Sequence, residues 1–313
     1  MTTVPTPREL LVSSRVRRLE GGEPPHLDRD LKRVRRGYYR PAAMPLTPQD
    51  DYLLRIQAAV EARTEPMVIC DESAAALWGA PLLKIDGALV HTNRAGKARR
   101  TAAGVLVHRR ALAEEDVAEV AGLRVVSREW TAIHLAAKLP LPRVLLPLDH
   151  LVAALNPEPA SDPSARGTVE RLVAMIPKGM RGGDKARKHL LAADARSGSA
   201  GESLSRGQMH LLGVPLPDLQ VAFPRGGDVG GSDIVDFDWP ELGVFGEFDG
   251  RGKYFRSEIN GGRSPEDVLW DEKQREDRVR HHRPRAVRWG WDVALRRDLL
   301  ATVLGEAGIR ARG

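Results

Sequence analysis

The sequence predicts an α/β protein of several domains, and three observations carry that reading. First, 313 residues with 42% hydrophobic and 29% charged content are ordinary for a globular chain, but exceed what one core usually organises. Second, short alternating or β-branched runs are interleaved with capped amphipathic helices. Third, stretches rich in Pro, Ser and Gly at 41–48, 156–166 and 197–201 read as linkers. They divide the chain into a basic segment (1–45), a small α/β middle domain (46–158), a basic helical linker (159–198) and a C-terminal α/β core (199–313). The net charge of +6 and a pI near 9.6 favour a polyanionic partner, with DNA the expected one. The single cysteine, Cys70, excludes an intrachain disulfide and a cysteine-cluster zinc site; it reads as a small buried residue in a reducing compartment. No apolar run reaches the ~20 residues of a membrane span, and the N-terminus lacks the apolar core of a signal peptide. A cytoplasmic protein with no membrane partner is expected.

The elements follow in order. Thr6-Pro7-Arg8-Glu9 combines a capping box with proline at the first helical position, and Val12, Val16 and Leu19 continue at helical spacing until Gly21-Gly22. Leu31–Val34 and Gly37–Arg40 then read as two short strands around Arg35-Arg36. A helix followed by an arginine-tipped hairpin resembles the second half of a winged helix-turn-helix. The first 41 residues hold ten Lys/Arg against five Asp/Glu, so Arg33, Arg35, Arg36 and Arg40 are candidate DNA contacts. The competing reading is a solvated basic face packed on the next domain.

Thr47-Pro48-Gln49-Asp50 opens a second capped helix with Leu53, Ile56, Ala59 and Val60 as its stripe. Short strands at 67–69, 88–92, 104–108 and 123–126 mix with helices at 72–78 and 128–138 in a domain ending near Leu155. His91, His108, His134 and His150 fit no ligand spacing, so each reads as structural, and neighbours such as Asp149-His150 face apart on a helix. The segment 167–196 reads as basic and helical, broken around 179–183.

The C-terminal segment carries the chemistry. Glu202 to Arg206 opens an amphipathic helix with an expected intrahelical ion pair worth ~0.2–0.5 kcal/mol. A strand follows at 219–223, then an acidic hairpin. Between Gly226 and Gly250 stand seven carboxylates and no Lys or Arg. Ile234–Trp239 and Val244–Asp249 both alternate, and Pro240-Glu241-Leu242-Gly243 turns between them. If Trp239 pairs with Val244, Asp236 falls opposite Glu247. Like charges across a ladder repel, which calls for a counter-charge, most simply Mg2+ or Mn2+ on oxygen ligands. The alternative is that these acids are solvated or paired to Arg225, Arg251 and Arg256. Gly250-Arg251-Gly252-Lys253 frames two cations with glycines, Ser264-Pro265-Glu266-Asp267 caps a further helix, and Ala286–Trp289 closes as a strand.

The order helix, strand, strand, strand, helix, strand is that of the PD-(D/E)XK nuclease core. Gly201–Arg206, Val235-Asp236-Phe237, Gly246–Gly250 and Glu272-Lys273 resemble actinobacterial proteins with a C-terminal domain related to the very-short-patch-repair endonucleases. Glu72-Ser73-Ala74-Ala75-Ala76-Leu77-Trp78-Gly79-Ala80-Pro81-Leu82 and the basic hairpin resemble AbiEi-type antitoxin and regulator proteins. The first resemblance implies a restriction-endonuclease-like core with Asp236 and Glu247 as metal ligands, Asp249 as a candidate third, and Glu202 as the helix glutamate. The family's lysine two residues after the glutamate is Asp249 here, so Lys253, or Lys273, would have to supply the catalytic cation. Two functions are therefore expected in competition. One is a metal-dependent DNA endonuclease or nickase with DNA-recruiting N-terminal modules. The other is an AbiEi-like antitoxin or transcriptional regulator with an inactive nuclease-fold domain and a toxin partner.

Overall fold

In a computed structural model, residues 10–63, 66–85, 89–94, 104–225, 230–250 and 265–311 are described. Among them the protein is mixed α/β, with eleven α-helices and three sheets. The chain forms two compact units, residues 1–138 with 172–190, and residues 139–171 with 191–313.

In chain order the first unit holds β1 (Val12–Ser13), α1 (Ser14–Leu19), β2 (Leu31–Arg35), β3 (Tyr38–Pro41), α2 (Pro48–Glu61), β4 (Val68–Ile69), α3 (Asp71–Leu77), β5 (Val90–Asn93), β6 (Val105–His108), β7 (Val117–Val120), β8 (Leu123–Val126) and α4 (Arg128–Lys138). Then come α5 (Leu141–Leu155), α6 (Arg166–Ala174), α7 (Gly183–Leu191), α8 (Ala200–Leu212), β9 (Asp218–Pro224), β10 (Ser232–Trp239), β11 (Val244–Asp249), α9 (Pro265–His282), β12 (Arg285–Gly290), α10 (Trp291–Ala294) and α11 (Arg297–Glu306).

The N-terminal helix is shorter than the capping box at Thr6 predicts. It begins at Ser14, because the Ser13 hydroxyl accepts from Arg15 N while Val12-Ser13 pairs with Tyr39-Tyr38 in the sheet β1-β3-β2. Thr6–Glu9 lies outside the described residues. The β2–β3 hairpin forms around Arg36-Gly37, with Gly37 at φ +84° supplying the turn. The helix α2 is capped as its sequence dictates, Thr47 and Asp50 exchanging hydrogen bonds. Its buried face is wider than the predicted stripe: Tyr52, Leu54 and Ala58 join Ile56 and Ala59, whereas Leu53 and Val60 are only half-buried. The sheet β6-β5-β4-β8-β7 includes a strand, β7, that the sequence pattern hides. Its Val117-Ala118-Glu119-Val120 is edge-placed and only half-buried, so alternation is weak.

The second unit holds the sheet β12-β11-β10-β9, with β12 parallel to β11 and the others antiparallel. The helix α5, expected to close the middle domain, belongs here instead. Its apolar residues Val144, Leu145, Leu148 and Leu151 are buried, and a Cβ on Gly207 of α8 would strike the Cα of Pro142. That close approach of two helices needs glycine. The Glu202–Arg206 pair expected within α8 does not form. Arg206 is buried on Asp149 of α5 at 3.0 Å and on the Ser197 hydroxyl at 2.9 Å, because a buried guanidinium and carboxylate must satisfy each other. No helix is long and apolar enough to cross a membrane among the described residues.

Candidate functional site

The acidic hairpin has the predicted register: Trp239 faces Val244, Asp238 faces Phe245 and Phe237 faces Gly246. The ladder stops there, one step short of Asp236 and Glu247. The Asp236 carboxylate bridges the break, its Oδ2 accepting from Phe248 N at 2.8 Å. A side chain thus takes an amide that a strand carbonyl would otherwise hold. On the other side, β9 brings Gln220 alongside. Gln220 sits at φ +51°, a local irregularity of the kind stored at functional sites. Its Nε2 donates to Glu202 Oε2 at 2.9 Å and to Asp236 Oδ1 at 3.4 Å.

Glu202 reaches this point because Ser199 caps α8 through Glu202 N at 3.2 Å and Glu202 Oε2 accepts from Gly198 N at 2.8 Å. The space above is set by Gly201, where a Cβ would overlap the Phe248 ring. Glu202, Asp236 and Glu247 are therefore brought together by α8, β10 and β11. Burial, with Asp236 adding to it, raises the Glu202 carboxyl above its ordinary range. Burial and Asp236 also push Glu247 up to about 7, against the pull of Arg275. Arg275 Nη2 lies 2.9 Å from Glu247 Oε1, but it also binds Glu272 at 2.8 Å. Sharing one guanidinium between two carboxylates explains why it does not restore an ordinary value.

Of the other expected residues, Asp249 ends β11 opposite Gly290 of the parallel strand β12. Asp236, Glu247 and Asp249 do not form a set with donor atoms within 4.8 Å of one another; among the described residues such sets occur only around Asp71. Lys253 lies outside the described residues. Lys273 stands over the exposed Trp270 ring at 5.9 Å. Arg251 and Arg256 lie outside the described residues, while Arg225 pairs with Asp233 at 2.8 Å, shared with Arg278 at 2.6 Å. Two residues that sequence reasoning missed, Gln220 and Arg275, complete the centre. The β9–β10 register, which sets Val221 on Val235 and Leu219 on Phe237, would have placed Gln220 beside Asp236. Nothing local marks Arg275, whose partners Glu247 and Ile234 O lie on the sheet.

In the N-terminal hairpin, Arg33 and Arg36 are exposed and Arg35 is half-buried. Burial, with Arg63 nearby, lowers the Arg35 guanidinium below its ordinary value. Arg40 differs from expectation. It is buried, donating to Pro41 O at 2.8 Å and Met44 O at 3.3 Å, so it holds the chain leading into α2 instead of offering a phosphate contact.

A second polar centre lies in the first unit. His91 Nδ1 and His108 Nε2 stand 3.0 Å apart with stacked rings. Beside them are buried Asp71, held by both guanidinium nitrogens of Arg110, together with Glu72 and Lys138. Burial lowers both imidazoles, His91 to about 4. His134 is buried against Trp130, and His150 is exposed.

No protein-family profile matches the chain. It is 34% identical over 182 residues to "Uncharacterized protein Rv2248" and, equally, to "Uncharacterized protein MT2308", both from Mycobacterium tuberculosis. The match covers 58% of this chain and spans 62% of the relatives' length. Among solved structures, the crystal structure of RV2827C protein from Mycobacterium tuberculosis aligns with 18% identity and a TM-score of 0.36, covering 70% of this chain and 84% of that one.

Proposed function

We propose that the second unit is a metal-dependent DNA endonuclease or nickase with a restriction-endonuclease-like core, and that the basic N-terminal hairpin recruits DNA. The observation carrying this reading is the tie of Glu202 on α8 to Asp236 on β10 through Gln220, with Glu247 of β11 close enough for Asp236 to raise its carboxyl. Such a gathering of one buried and two half-buried carboxylates is electrostatically costly, and carboxyls perturbed by burial and by each other cluster at functional sites. Hard oxygen donors fit Mg2+ or Mn2+, which Asp236 and Glu247 would hold; the ion supplies a lowered pKa for a bound water and a contact for the scissile phosphate. Glu202 orients the attacking water, and Gln220 positions Glu202 and Asp236 together. Glu247 must lose its proton to hold the ion, so metal binding at this site would release a proton from it. Lys253 is the proposed cation for the developing phosphorane charge.

Supercoiled plasmid should be nicked or cut with added magnesium or manganese and left intact in chelator, and Asp236→Asn should abolish cutting while the fold persists. Equal cutting by that variant refutes the site. A second reading, an AbiEi-like antitoxin or regulator that binds DNA and a toxin partner, is favoured by Asp249 in the place of the family's lysine. A folded, metal-loaded wild type that binds DNA and never cuts it would support that reading.

A further inference from the structure

The groups of three ligand-type side chains with mutually close donor atoms, among the described residues, lie in the first unit around Asp71. Their placement follows from the sheet. β5 and β6 are parallel with Asn93 opposite His108 and His91 opposite Leu106, which sets His91 and His108 diagonally on one face, within reach of each other. β4 pairs with β5 through Ile69 and Thr92, and α3 starts immediately after it, delivering Asp71 and Glu72 to the same end. The donor atoms converge. Asp71 Oδ2 is 3.3 Å from His108 Nε2 and 3.9 Å from His91 Nδ1, and Glu72 Oε2 is 3.7 Å from His91 Nδ1.

We propose that Asp71, Glu72, His91 and His108 form a binding site for a divalent transition ion of the zinc class. Four ligands at ~2.0–2.1 Å from a tetrahedral ion stand about 3.3 Å apart, and four of the six separations among these donors, from 3.0 to 3.9 Å, bracket that value. Imidazole nitrogens favour zinc and its neighbours over magnesium. The donors already surround a cation: Lys138 Nζ lies 2.8 Å from Glu72 Oε2, 3.4 Å from His91 Nδ1 and 3.5 Å from Asp71 Oδ2. Lys138 is one-third exposed, so its flexible stem can withdraw to water when a metal enters. The outer ring is also built. Arg110 holds both carboxylate oxygens of Asp71, and the Asn93 side chain fixes the Arg110 backbone through two hydrogen bonds of 2.9 Å. Ser73 Oγ accepts from His91 N at 2.8 Å. Such partners orient metal ligands and tune their affinity.

The test titrates cobalt(II) into the full chain carrying Asp236→Asn and Glu247→Gln, so that the hairpin carboxylates cannot account for binding. One equivalent should bind with the visible absorption of a four-coordinate ion, and zinc but not magnesium should displace it. Replacing His91 and His108 by alanine should remove the absorption. Lys138→Met should tighten binding by about tenfold or more, because the ammonium competes directly for the same ligands. Absence of binding by the folded chain, unchanged binding without the two histidines, or weaker binding in Lys138→Met each overturns the proposal. If circular dichroism shows the double histidine variant unfolded, His108→Ala alone together with Lys138→Met decides: the first must weaken binding at least about tenfold, the second must tighten it, and any other pair of results overturns the site.

Discussion

Replacing Glu247 by glutamine should stabilise the protein at pH 8, although it removes a residue at the centre of the candidate site. The Glu247 side chain is 13% exposed, and burial and Asp236 push its pKa from the ordinary 4.5 up to about 7. The sign follows from proton counts. Below 4.5 both folded and unfolded chains carry the proton, and nothing is gained or lost. Between 4.5 and 7 the unfolded chain releases a proton that the folded chain retains, so stability falls as pH rises; above 7 the whole cost is present. The span corresponds to about 3 kcal/mol, an order-of-magnitude figure. Glutamine keeps the shape, can still meet Arg275, and carries no charge to desolvate, while Arg275 retains Glu272. Urea unfolding of wild type and Glu247→Gln at pH 5 and pH 8 measures the difference directly. The variant should gain most of those about 3 kcal/mol between the two pH values. A variant that is neutral or destabilised at pH 8, with no change in its offset from pH 5, would show that Arg275 fully compensates Glu247 and that the site stores no electrostatic cost.

Arg206→Ala should cost ~3–5 kcal/mol in urea unfolding, because it leaves the buried Asp149 carboxylate without its partner; a loss under about 1 kcal/mol would mean water replaces the guanidinium. Gly207→Ala should cost at least ~1–3 kcal/mol, since its Cβ meets the backbone of Pro142, which cannot swing aside; an unchanged melting temperature would contradict the close packing of α5 on α8. Arg33→Ala with Arg36→Ala should weaken DNA binding and flatten its salt dependence by about 0.9 for each phosphate no longer neutralised, whereas Arg40→Ala should lower stability first. An identical salt slope in the Arg33/Arg36 variant would reduce the hairpin to a packed surface.

Whatever depends on local periodicity was legible in the chain before any folding was considered. A strand repeats every two residues and a turn fixes its register, so Trp239 on Val244, and hence the nearness of Asp236 to Glu247, could be read directly. The cap at Thr47, the helix carrying Glu202 and the chain order of the principal elements from α8 to β12 could be read for the same reason, since each is written within a few neighbouring residues. Everything that joins distant segments was settled only by the folded arrangement. It ended the hairpin ladder at Phe237 and Gly246, turned Gln220 between two carboxylates, and gave Glu247 the guanidinium of Arg275, 28 residues away. It took Arg206 from its i,i+4 neighbour to Asp149, 57 residues earlier, and moved α5 out of the unit its position suggested. It also drew His91 to His108, a pair with no recognisable ligand spacing. Such contacts are set by which buried charges can be satisfied once the sheets and helices have closed, and no local pattern records that choice.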